Sequence, residues 1–142
     1  MWAVRSAFHE IYTIEFGEDL AADAKQLFMP FPHIHVLQGD SAKVLSDVLG
    51  RIQEPCLFWL DAHYSGEGTA LDDCETPVLG ELDCIFSYVV KSHVILIDDA
   101  RCFDGKGDYP ALAEITTIVN ERRPDWVCEV RDDIIRIHPM QV

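Results

Sequence analysis

Acidic side chains stand at four places where a chain of alternating strands and helices should end its strands. They are Glu15 in "IYTIEFGEDL", Asp40 in "HVLQGDSAKVL", Asp61 in "LFWLDAHYS", and the pair Asp98 and Asp99 in "VILIDDAR". Carboxylates gathered on one rim repel each other, so helix capping alone explains four of them poorly. A bound cation, or the hydroxyl and amino groups of a ligand, would offset that repulsion. Asp61, Asp98 and Asp99 could offer oxygen ligands to one hard divalent cation such as Mg2+. His63 lies just beyond Asp61 and could act as a general base or as a softer ligand. Local readings compete with each of these roles. Asp40 could cap the helix that follows it, Asp61 and Asp99 could cap loops while Arg101 pairs with a carboxylate, and His63 could be structural.

The elements that would position these groups alternate along the chain. "IYTIEF" reads as a strand. In "EDLAADAKQLF", Leu20, Ala21, Ala24, Leu27 and Phe28 share one helical face. "HIHVLQ" is the next strand, and "SAKVLSDVLGRI" places Val44, Leu45, Val48, Leu49 and Ile52 on one face. "CLFWLDAH" and "HVILIDDA" are almost continuously apolar before their acids, as strands buried in a parallel sheet are. Between them, Thr76 and Pro77 signal a helix start. A further helix follows Pro110. "WVCEVR" and "IIRIHP" are separated by Asp132 and Asp133 alone, and so short a connection makes an antiparallel hairpin. The expected fold is a Rossmann-like three-layer α/β/α sandwich, mainly parallel, with a C-terminal antiparallel hairpin. Ligands of such sheets sit outside the carboxyl ends of the strands, where the acids fall.

Composition bounds the rest. The length of 142 residues suits a single domain with a real core. A formal charge of −14 argues against a nucleic-acid partner, which needs clustered Lys and Arg. The apolar runs are too short for a membrane span, and no signal-peptide pattern opens the chain. The five cysteines are odd in number and form no C-x-x-C pair, so they read as reduced thiols of a cytoplasmic protein.

Taken together, these stretches resemble class I S-adenosylmethionine-dependent methyltransferases, in particular the small-molecule O-methyltransferase branch that includes macrocin O-methyltransferase. The resemblance runs from Ile11 to Ile137 and is most specific in "YTIEFGEDLAADAKQLF", "IHVLQGDSAKVL", "FWLDAHYSGEGTA", "TPVLGEL" and "HVILIDDARCFDGKGDYP". It implies that Glu15 binds the ribose hydroxyls of the cofactor and that Asp40 with Ser41 contacts its adenine. It implies that Asp61 faces the methyl donor, with Asp98 and Asp99 completing a metal site in metal-using members. His63 is then the candidate base.

The chain departs from the family at its start. The family opens with a strand, a glycine loop and a helix, and its acid lies about 20 residues beyond that loop. Counting back from Glu15 passes Met1, so "MWAVRSAFHE" reads as the end of the first helix, with Trp2, Val4 and Phe8 as packing residues. Residues 1–142 are then expected to form one truncated methyltransferase-like domain. In the family the first strand lies between the second and the fourth. The strands Ile11–Phe16 and Leu57–Leu60 should therefore become neighbours, or the gap should be filled by the N-terminal segment or another chain. The strands Ile11–Phe16, His35–Gln38, Leu57–Leu60 and Val94–Ile97 should all be parallel members of one sheet, and their falling in separate sheets would reject the whole reading. Without the loop, adenosylmethionine should bind weakly and methyl transfer should be poor or absent, as in an incomplete or inactive member of the family. Two other classes compete. "DAH" is also similar to a ureohydrolase motif, which would imply a metal-dependent hydrolase, but no second histidine motif accompanies it. Unpaired sheet edges would also suit a non-catalytic interaction module or a homo-oligomer.

Overall fold

A computed structural model of the protein describes residues 5–61, 76–89 and 92–140. The chain divides into two compact units, Met1–Arg51 and Ile52–Val142.

The first unit is a β-α-β-α run: β1 (Ile11–Glu15), α1 (Glu18–Phe28), β2 (Ile34–Gln38) and α2 (Ser41–Leu49). β1 and β2 pair in parallel, with Ile11 opposite Ile34 and Glu15 opposite Gln38. A parallel pair needs a crossover, and α1 supplies it. α1 buries Ala21 and Phe28, while Leu20 and Leu27 of the same expected face stay exposed. α2 buries Leu45, Val48 and Leu49, as its spacing predicts. Residues 5–7 form a turn and Phe8 is exposed, so the expected helix end is not seen in the described part of "MWAVRSAFHE". Trp2 and Val4 lie outside the described residues.

The second unit holds β3 (Leu57–Leu60), α3 (Val78–Ser87), β4 (Val94–Ile97), a short 3-10 turn at Ala100–Cys102, α4 (Leu112–Arg122), β5 (Trp126–Arg131) and β6 (Ile134–Pro139). Its sheet runs β3-β4-β6-β5. β3 and β4 are parallel, and β6 lies antiparallel between β4 and β5. The expected hairpin is therefore present, and its second strand is the one that joins the parallel part. One sheet face carries Phe58, Leu60, Ile95, Ile97, Ile135 and Ile137, all buried. α3 and α4 meet that side: Phe86 lies edge-on to Trp126 at 6.0 Å, and Thr116 Oγ1 lies 3.8 Å from Cys128 Sγ. Buried His93 stitches the start of the parallel pair, its Nδ1 accepting from the Cys56 N–H at 3.0 Å.

The architecture is mixed α/β, as expected. The expectation of one sheet is corrected. β1 and β2 form a two-stranded sheet and β3 and β4 belong to a four-stranded one, so β1 and β3 are not hydrogen-bonded neighbours. Neighbouring strands must come within about 4.8 Å to share a ladder. β1 and β3 are the strands between which the family resemblance places a further strand. Among the described residues no helix is long and apolar enough to cross a membrane.

Candidate functional site

In the first unit the carboxyl ends of two adjacent parallel strands carry Glu15 and the turn Gly39-Asp40-Ser41. The ladder closes there, since Gly39 N–H donates to the Glu15 carbonyl at 3.0 Å. Gln38 straps the same end, donating from Nε2 to the Phe16 carbonyl at 3.1 Å. Gly39 has φ of +144°, and a Cβ on it would lie 2.8 Å from Val44 Cγ2. Glycine therefore lets the backbone turn from β2 into α2 without a collision.

Glu15 and Asp40 differ in what already holds them. The Glu15 carboxylate accepts from Thr13 Oγ1 through Oε1 at 3.2 Å. Its other oxygen has no hydrogen bond to a described residue, so it can accept from a ligand hydroxyl. Asp40 caps α2: Oδ1 accepts from the Ala42 N–H at 3.0 Å, and Oδ2 pairs with Lys43 Nζ at 2.8 Å. The hydrogen bond from Lys43, with help from the Ala42 N–H, holds the Asp40 carboxyl below the usual carboxylate range. The capping role read from the sequence is thus present. Any contact from Asp40 to a ligand would share an oxygen with the cap. Ser41 is the first residue of α2 and stands beside it.

In the second unit Asp61 follows β3 and is exposed, while Asp98 follows β4. Asp98 N–H donates to the Leu60 carbonyl at 3.0 Å, extending the parallel ladder, so both acids leave the same end of the sheet. The Asp98 side chain turns back to its own chain, Oδ1 accepting from the Asp99 N–H at 2.9 Å. Asp99 adopts left-handed backbone angles of φ 55° and ψ 47°. Its Oδ1 pairs with Arg101 Nη2 at 2.6 Å.

Arg101 also pairs with Asp133, whose Oδ1 accepts from the Arg101 N–H at 2.9 Å and whose Oδ2 meets Nη1. The Asp133 carbonyl accepts from the Ala100 N–H at 2.8 Å. Arg101 is pushed above its ordinary value, first by the Asp133 hydrogen bond and then by the charges of Asp133 and Asp99. Asp133 is held below its ordinary value, chiefly by the Arg101 N–H.

This clamp places Asp133, read from the sequence only as a turn residue, beside the expected site. The signal for it was the unusual Asp132-Asp133 turn. Both residues have positive φ, 55° and 62°, where Asn or Gly is usual. A two-residue turn of that kind projects an acid back over the neighbouring strand end.

Among the described residues no three His, Cys, Asp or Glu side chains are placed to hold a metal ion. Asp61, Asp98 and Asp99 are all described, and they do not come together as such a group. His63 lies outside the described residues. Comparison with protein-family models and with curated proteins finds no match.

Proposed function

We propose that the chain is an S-adenosylmethionine-dependent methyltransferase domain that acts on a hydroxyl of a small molecule, built on a Rossmann-like three-layer plan. The observation that carries this reading is the end of the β1–β2 pair. An acid with an open oxygen, Glu15, stands on one parallel strand, and a Gly-Asp-Ser turn opens a helix on its neighbour. An acid in that place accepts from the vicinal hydroxyls of a ribose. In this reading Glu15 holds the ribose and Asp40 with Ser41 flanks the adenine, all within the first unit, while Asp61, which the resemblance turns toward the methyl donor, belongs to the second.

The two separate sheets count against this reading, which rests on the end of the β1–β2 pair alone. β1 and β3, each at the edge of its own sheet, are the two strands that the resemblance assigns to either side of the family's first strand. His63, two positions after Asp61 in the sequence, would be the base: it would take the acceptor hydroxyl's proton as the oxygen–methyl bond formed and the sulfur–methyl bond broke, with the demethylated cofactor leaving. Mg2+ has no donor set among the described residues, so no step passes through it.

Calorimetric titration of the chain with adenosine and with S-adenosylmethionine tests the reading. Both should bind, and with similar affinity, because no residue of the chain matches the loop that receives the methionine end. Glu15→Ala should weaken adenosine binding by roughly ten- to hundredfold, since a hydrogen bond to a charged group contributes about 1.5–3 kcal/mol. Absence of binding, or equal affinity in the variant, would remove the proposal.

A further inference from the structure

Among the described residues β3 is the terminal strand of its sheet and is paired along one edge only. The bonding parity shows what the other edge offers. Val94 N–H donates to the Cys56 carbonyl at 2.9 Å and Asp98 N–H to the Leu60 carbonyl at 3.0 Å. In a parallel ladder alternate residues turn both backbone groups toward the same neighbour. Even-numbered residues of β3 therefore face β4. The N–H and C=O groups of Leu57 and Trp59 face the edge that no described strand occupies.

The side chains of the same two residues are also unburied. Leu57 is 44% exposed and Trp59 53%, whereas Phe58 and Leu60 are at 9% and 8% on the opposite face. Val94, the register partner of Leu57, is 36% exposed and continues the apolar strip. A shallow groove lined by Val94, His138, Pro139 and Met140 lies further along. Edge strands are ordinarily guarded by Lys, Pro or a bulge. The four residues of β3 include no Lys and no Pro, and its ends are marked by two exposed acids, Glu54 and Asp61.

We propose that the free edge of β3 takes up an extended segment of another protein. That segment alternates apolar residues and carries Lys or Arg at its ends. Main-chain hydrogen bonds to Leu57 and Trp59 hold it, and its apolar side chains lie on those of Leu57, Trp59 and Val94. Charge decides between occupants. A second copy would bring −14 against −14. If Leu57 of one copy paired with Trp59 of the other, Pro55, which has no N–H, would fall opposite Asp61. A segment with basic ends instead meets Glu54 and Asp61 favourably, and salt weakens that attraction. Strand uptake at this edge does not depend on methyl transfer.

The test is amide hydrogen exchange on the full chain with three synthetic peptides at low salt. One is Lys-Val-Thr-Val-Thr-Val-Lys, the second has Glu at both ends, and the third is the Lys peptide with a central Pro. The Lys peptide should slow exchange at Leu57 and Trp59 by about tenfold or more, while the Glu and Pro peptides should not. Leu57→Pro removes only an outward N–H, and Trp59→Lys puts a charge on the edge. Either should abolish the effect while the Phe58 and Ile95 amides remain protected. The proposal is overturned if the Lys peptide gives no protection, or if all three peptides protect equally. It is also overturned if the chain alone protects these amides with rising concentration and a dimer mass by light scattering.

Discussion

Asp40 shows how one carboxylate can serve two purposes that a sequence cannot separate. A Gly-Asp-Ser turn at a strand end suits both an adenine contact and a helix cap. Both oxygens of Asp40 are engaged, one by the Ala42 N–H and one by Lys43. The depressed pKa has a definite consequence for stability. Because the folded state holds the Asp40 carboxyl below its unfolded value, its contribution is fully present above the ordinary carboxyl range. It is lost as pH falls through the folded value. Asp40→Asn should therefore lower stability at neutral pH and narrow the gap from wild type under acid. Urea midpoints measured from pH 7 down to about 3 would show this, and parallel curves for the two proteins would refute it. Asp99 carried the same ambiguity. The sequence offered loop capping by Asp99 as the alternative to metal, with Arg101 paired to a carboxylate it did not identify, and the structure shows that Asp99 is one of the carboxylates Arg101 pairs with. What the sequence did not show was Asp133, because the partner comes from 32 residues away through the hairpin turn.

At the scale of elements, periodicity carried most of the information. Each of the four strands expected to be parallel is present within a residue or two. α2 buries Leu45, Val48 and Leu49 of the five residues its spacing selects, and Thr76 does act at the start of α3, its Oγ1 accepting from the Val78 N–H at 3.4 Å. Pairing between distant strands was not legible. A strand's pattern states that a neighbour exists but not which one, and β1 and β3 lack a common ladder. The hairpin turn offers a test in which the same backbone angle predicts opposite outcomes. Asp132 and Asp133 both hold positive φ, a conformation that costs an ordinary residue about 1–2 kcal/mol. Among the described residues Asp132 pairs with exposed Arg131 and half-buried Arg136 alone, so Asp132→Gly should raise stability by roughly 0.5–1 kcal/mol. Asp133→Gly relieves the same strain but also releases Arg101 and the Arg101 N–H, so it should yield no gain and should loosen the 3-10 turn. Chemical denaturation of the two variants distinguishes them. Equal stabilisation by both would mean that the clamp contributes nothing.

On the scale of the whole molecule, the two units differ in how deeply their strands are buried. In the second unit Ile95, Ile97, Ile135 and Ile137 are wholly buried on one sheet face, and Ile115 and Val119 of α4 are wholly buried as well. In the first unit all five residues of β1 are partly exposed, and its sheet has two strands. A two-stranded sheet is marginal without helices against it, and the strands of a larger covered sheet resist opening longer. Native-state hydrogen exchange should therefore find the slowest amides at Ile95, Ile97, Ile135 and Ile137. The amides of β1 and β2 should exchange in a separate and faster group. The net charge of −14 acts on both units, since self-repulsion opposes compactness and is screened by salt. Raising sodium chloride from low to physiological strength should then slow exchange throughout while leaving the order of the two groups unchanged. If β1 and the central strands of the second unit instead exchanged together, at one rate and with one dependence on denaturant, the molecule would open as a single cooperative body. The two sheets would then be coupled by more than the hydrogen-bonded ladders show.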